Sequence, residues 1–138
     1  MLEFTGRLIE LRRAHPVFRR TNFLEGRGER LPDVWWMRPD GRRMTLRDWD
    51  NPDSRAIGVF LNGDELRMET RSGDEVRDDS FLILFNAFFA DIAFRLPARR
   101  LGSRWALELQ TGRVEFERLV PGAEVLVEAR SVAVLRRA

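Results

Sequence analysis

The chain has no cysteine, no lysine, no tyrosine and a single histidine among its 138 residues. Without thiols there is no disulfide framework and no thiolate chemistry, which suits a reducing cytoplasm. A Ser-His-Asp device would have to use His15, directly before Pro16 at the end of a helical pattern. A packing or capping role fits that place better. No set of His, Cys and carboxylates stands at metal-ligand spacing, so neither metal nor cofactor is expected. No apolar run approaches the 18 or more residues of a membrane span, and no signal-peptide pattern precedes the first helix. A charge excess of one sign is also missing. The basic residues, all arginine, number 24 against 22 acids, and the two signs are interleaved to a net +2. Nucleic acid is therefore not an expected partner. The all-arginine usage reads first as a GC-rich genome.

Catalytic carboxylates are equally scarce. Glycoside hydrolysis needs two of them across the scissile bond on a rigid scaffold. Asp78 and Asp79 are adjacent, so in a strand they would point to opposite faces. They read as gatekeepers before the very apolar segment that follows. Residues 48–53 are acidic but lack the glycine and distal glutamate of a calcium loop. Gly26-Arg27-Gly28 is too short for a phosphate loop. No catalytic residue is assigned.

What is present is patterned for β structure behind one helix. Phe4, Leu8 and Leu11, with Ile9 beside them, give residues 2–15 an apolar helical stripe. Pro16 stops it by forcing His15 out of the α region. Residues 16–32 are irregular. Residues 34–38 read as a short strand, Pro39-Asp40-Gly41 as a turn, and Thr45 with Asp48 as a capping box that opens a helical turn bearing Trp49. Residues 56–61 form an apolar strand. Asn62-Gly63 signals a hairpin, with Leu66 and Met68 on the returning strand. Residues 81–85 read as a central strand covered on both faces. Alternation around Ile92–Leu96, Trp105–Leu109, Val114–Phe116, Val125–Val127 and Val132–Leu135 adds five more strands. Seven or eight short strands at this spacing indicate a mainly β, antiparallel β-sandwich.

The aromatics admit two uses. Trp35, Trp36, Trp49 and Trp105, or Phe88 and Phe89 where exposed, could stack on glucan rings, Trp35, Trp36 and Trp49 above all, or could fill the core and a contact with a neighbouring domain. Strand alternation sends Trp35 and Trp36 to opposite faces. Phe4, Leu8, Leu11, Phe88 and Phe89 are candidate interface residues.

The run Trp36-x-Arg38-Pro39-Asp40-Gly41-x-x-Met44-Thr45-x-x-Asp48-Trp49 resembles the C-terminal region of bacterial glycogen debranching enzymes, isoamylase-type members of the α-amylase superfamily (glycoside hydrolase family 13). The resemblance covers nearly the whole chain. Phe4 to Phe18 looks like the last helix of the family's (β/α)8 barrel. Val76 to Ala87 looks like the central strand of its C-terminal domain, and Val132 to Arg137 like its closing strand. The family commonly has histidines after Asn86-Ala87, where this chain has Phe88-Phe89, which points to burial or an apolar interface there.

The resemblance implies an α-amylase-type C-terminal β-sandwich preceded by one helix left over from the barrel. It divides the chain into residues 1–18 (last barrel helix), 19–55 (connector with the Trp motif) and 56–138 (β-sandwich). It also implies a cytoplasmic parent, active in glycogen catabolism, that hydrolyses α-1,6-glucosidic branches of glycogen or limit dextrin. The family's catalytic groups lie in the barrel, upstream of anything matched. The chain would brace that barrel, its partner, and be inactive alone. Two alternatives remain: an α-glucan-binding module that uses the tryptophans, and an oligomerisation module that self-associates through the orphan helix.

Overall fold

The computed structural model describes residues 2–138. One helix, α1 (Leu2–Ala14), precedes a 3-10 turn at Pro16–Phe18. The proline stop works as the sequence indicates: His15 has extended backbone angles and Pro16 begins the next turn. A short helix, α2 (Leu46–Trp49), interrupts the β region. Among the described residues eight strands form: β1 (Val34–Met37), β2 (Ala56–Leu61), β3 (Phe81–Asn86), β4 (Ile92–Arg95), β5 (Trp105–Gln110), β6 (Val114–Glu115), β7 (Glu124–Val127) and β8 (Ser131–Arg137).

The chain divides into two compact units. One joins the residues up to Val34 with Leu61–Ser80, and the other joins Trp35–Phe60 with Phe81–Ala138. The second holds the β-sandwich. Its larger sheet has the order β1-β2-β3-β8-β5 and its smaller sheet the order β4-β7-β6. β8 pairs antiparallel with both β3 and β5, and β7 pairs antiparallel with both β4 and β6. A bulge between Leu107 and Leu109 leaves Glu108 as the extra residue of β5, and its carboxylate takes the Nε–H of Arg136 at 2.5 Å.

β3 lies at the centre of the larger sheet. Leu82 and Leu84 are buried on one face throughout. The other face is buried at Phe81, half-buried at Ile83 and 38% exposed at Phe85. β3 is therefore covered on both faces only where it begins. Phe60, Phe94, Val125, Val127 and Leu135 complete the core of this unit. Each such side chain, fully buried, contributes roughly 1.5–3 kcal/mol. Trp105 packs edge-on to Phe60 at 6.3 Å, with its indole N–H buried and unpaired among the described residues.

The hairpin expected at Asn62-Gly63 does not form: β2 is flanked by β1 and β3. The Asn62 amide is used elsewhere. Its Nδ2 donates to the carbonyls of Leu31 and Pro32, and its Oδ1 accepts from Asp64 N–H. Residues 64–79 form a loop with a single bridge, Glu69 to Glu75. Gly63 is needed for close approach. A Cβ there would meet Asp78 O at 2.1 Å.

Asp79 is exposed, but Asp78 is not a solvated gatekeeper. The Asp78 carboxylate lies 2.8 Å from His15 Nδ1 and accepts the N–H groups of Val17 and Asp79. His15 is thus a clasp at the helix end: of its expected packing or capping role it takes the first, since its side chain makes no cap bond.

Candidate functional site

The Trp motif is built from β1, a turn, a short return and α2. Gly41 (φ 85°) closes the turn by donating to Arg38 O at 2.9 Å, and a Cβ there would meet Arg95 O at 2.8 Å. Glycine is required by both the positive φ and the contact. The chain then runs back along β1: Arg38 N–H donates to Arg42 O and Met44 N–H to Trp36 O. Thr45 caps α2. Its hydroxyl accepts from Asp48 N–H at 3.3 Å, and Asp48 Oδ2 accepts from Thr45 N–H at 2.7 Å. Aspartate completes the capping box in place of the usual Glu or Gln.

These two supports bring Trp36 and Trp49 together. Their rings meet edge to face, 5.5 Å apart at 74°, and they are 39% and 51% exposed. Trp35 points the other way, as alternation requires. Two guanidinium groups cover it, Arg43 at 4.9 Å and Arg100 at 4.5 Å from the ring.

Beside the motif opens a cleft of about 310 Å³ lined by Arg38, Asp40, Met44, Asp48, Asn51 and Ser54. Arg38 links both carboxylates: its fork pairs with Asp40, and its Nη1 lies 3.7 Å from Asp48 Oδ1. The Arg38 hydrogen bond holds the Asp40 carboxyl below its usual range, and Asp40 in turn raises Arg38. Thr45 backbone and hydroxyl bonds hold Asp48 low. All three groups are charged at neutral pH. The arrangement can hold hydroxyl groups but offers no general acid.

The candidate interface residues lie in separate places. None of the residues of α1 is buried. Phe4 and Leu11 are half-buried, and Leu8 and Ile9 are 41% and 47% exposed. The Phe88 and Phe89 rings meet at 4.2 Å, tilted by 37°, with Phe89 73% exposed. Asn86 fixes that turn by donating to the carbonyls of Ala90, Val127 and Glu128.

Two features were not visible in the spacing. His15, Asp78 and Asp79 present potential ligand atoms within 4.8 Å of one another. The Asp78 oxygens are already engaged by His15, Val17 and Asp79. The cluster therefore serves the fold better than it would serve a metal. A second cleft of about 680 Å³ lies between Phe116, Val120 and Leu126, with Glu115, Glu117 and Glu124 around it. Sequence alternation had marked these only as strand and turn residues.

A family profile described as "Isoamylase, C-terminal" matches residues 33–136. The chain is 37% identical over 144 residues to the glycogen operon protein GlgX homolog of Mycobacterium tuberculosis (strain ATCC 25618 / H37Rv), covering 99% of this chain and 20% of that protein. It is 29% identical over 129 residues to the isoamylase of Pseudomonas amyloderamosa, covering 90% and 15%. It is 27% identical over 105 residues to the isoamylase of Flavobacterium sp, covering 74% and 12%. The chain spans about a fifth, or less, of the length of the curated relatives it matches.

Proposed function

Because the chain belongs to the family of isoamylase C-terminal domains, we propose that it serves as the supporting domain of a debranching enzyme acting on α-1,6-glucosidic branches of glycogen or limit dextrin. The sandwich that braces the catalytic barrel takes its strands from residues 56–138 and one edge strand, β1, from the connecting segment 19–55. Residues 1–18 include the last barrel helix. The hydrolytic carboxylates belong to the barrel, and this chain supplies none. The relatives named for a glycogen operon and the absence of cysteine support a cytoplasmic setting. In this structure no helix among the described residues is long and apolar enough to cross a membrane.

The observation that supports this reading is α1. It has Leu8 and Ile9 exposed and no buried residue. A helix of 13 residues with a partly uncovered apolar stripe gains little stability by itself. The barrel is the cover that gives the stripe a purpose.

The test is Leu8→Asp in the longer parent protein. The expected result is a lower thermal midpoint of the barrel, with branch hydrolysis lost in step. A parent with unchanged midpoint and activity would refute the docking of α1 on the barrel, on which the bracing reading rests. So would release of reducing ends from limit dextrin by the isolated chain.

A further inference from the structure

We propose that Trp36 and Trp49, with the cleft between Arg38, Asp48, Asn51 and Ser54, form a surface subsite for an α-1,4-linked glucan chain. The choice of α-glucan rests on the debranching reading. The choice of a hydroxylated ring rests on the geometry.

A pyranose ring has an apolar C–H face and a rim of hydroxyl groups, so its site needs an aromatic surface beside convergent polar atoms. Both are supplied by the same β1–turn–α2 motif, the indoles by Trp36 and Trp49 and the polar atoms by the cleft lining. Trp36 lies on β1 and Arg38 is the first residue beyond its end, two positions on. Asp48, which lines the cleft, is followed directly by Trp49. The two indoles meet at 74°, which makes an angled corner instead of a flat plate. The corner is rigid, because β1 holds one indole and the capping box fixes the turn that bears the other. Rigid aromatic surface binds with little loss of side-chain freedom.

The cleft has spare polar capacity. Asn51 Oδ1 accepts from Asp53 N–H, but its Nδ2 has no partner among the described residues, and neither has the Ser54 hydroxyl. The Asp48 Oδ1 atom faces only Arg38, at 3.7 Å. One donor, one hydroxyl and one carboxylate oxygen are thus open to a sugar rim. The volume, about 310 Å³, lies at the lower end of small-ligand sites, so most of the chain would lie along the open surface.

The lining also separates this occupant from the other obvious one, an apolar surface of the parent protein. Covering Arg38, Asp40 and Asp48 with apolar groups would strip water from three charges. A hydroxylated ligand replaces that water with hydrogen bonds. Trp35 is excluded from the site because Arg43 and Arg100 already cover its ring.

The experiment is a titration of the chain with maltoheptaose to about 10 mM, enough to saturate a site with Kd near 1 mM, followed by the four indole N–H signals in NMR. Saturable shifts of Trp36 and Trp49, with Trp35 and Trp105 still, are expected. Trp49→Ala should weaken binding at least about tenfold, and Ser54→Ala less, with signal dispersion retained. Absence of shifts, shifts confined to Trp35 or Trp105, or equal binding of cellohexaose would overturn the proposal. The titration of the wild-type chain decides it even if Trp49→Ala fails to fold. None of these outcomes bears on the bracing role, which the Leu8→Asp parent tests separately.

Discussion

Asp33 is the sharpest place to test how the first compact unit is held. Its side chain is fully buried. Oδ1 accepts Gly26 N–H at 2.7 Å and Oδ2 accepts Glu25 N–H at 2.9 Å. Arg20 and Arg67 each approach Oδ2 at 3.5 Å. Asp33 O accepts Asn62 N–H at 2.9 Å. One carboxylate thus ties the irregular arginine-rich loop into a fixed shape directly before β1. Asp33→Asn keeps the shape and removes the charge. It turns one acceptor into a donor facing a backbone donor, and it leaves Arg20, with its side chain only 7% exposed, without its ion-pair partner. A charge-assisted hydrogen bond contributes roughly 1.5–3 kcal/mol, and breaking a buried pair costs about 3–5 kcal/mol. The expected loss is about 3–5 kcal/mol, a large share of the 5–15 kcal/mol typical of a domain. At about 3 °C per kcal/mol, intermediate for this size, the thermal midpoint falls by roughly 10–15 °C. Urea unfolding followed by circular dichroism and by tryptophan fluorescence measures the loss and checks that one transition is seen. A double variant with Arg20→Met should lose less than the sum of the two single changes. A loss below about 1 kcal/mol for Asp33→Asn would refute the argument, because the burial of the charge would then be of no consequence.

Other perturbations probe separate parts of the structure. Gly63→Ala would place a Cβ 2.1 Å from Asp78 O and 2.3 Å from Asp79 O, both backbone atoms. It should cost at least about 3 kcal/mol, and a wild-type melting curve would contradict the close approach. Leu8→Asp in the isolated chain should change stability by less than about 0.5 kcal/mol, since α1 has no buried residue. If copies pair through this face, the same change lowers the sedimentation coefficient; an unchanged value removes the oligomerisation alternative. Asp40 and Asp48 are both held low, by Arg38 and by Thr45 respectively. Their contribution is fully present above the unfolded carboxylate pKa of about 3.9 and is lost as pH falls through the lower folded values. Carboxyl carbon shifts in NMR should therefore titrate below about 3.9 for both, and a midpoint above that for either would break the assigned pairing.

Much of this molecule is written in short-range spacing. Thr45 and Asp48, three apart, formed the capping box. Pro16 ended α1, and alternation or short apolar runs located the strands that formed, though the strand expected at Leu66 and Met68 did not. The run from Trp36 to Trp49 pointed to the family that the profile match then showed. Backbone periodicity and side-chain reach within a few residues are properties of the local chain, so they can be read without knowing what packs where. Partner choice is different, because it depends on which distant segment supplies the missing donor or the covering surface. Asn62-Gly63 had hairpin chemistry, yet the Asn62 amide was claimed by Leu31 and Pro32, some 30 positions earlier. Asp78 turned to His15, 63 positions away. Trp35 and Trp36 were equivalent as letters. Arg100, brought in from beyond β4, helped to cover the first, while α2 set Trp49 against the second. Alternation could say only that the two indoles part company; the long-range contacts of the folded chain decided which one faces solvent.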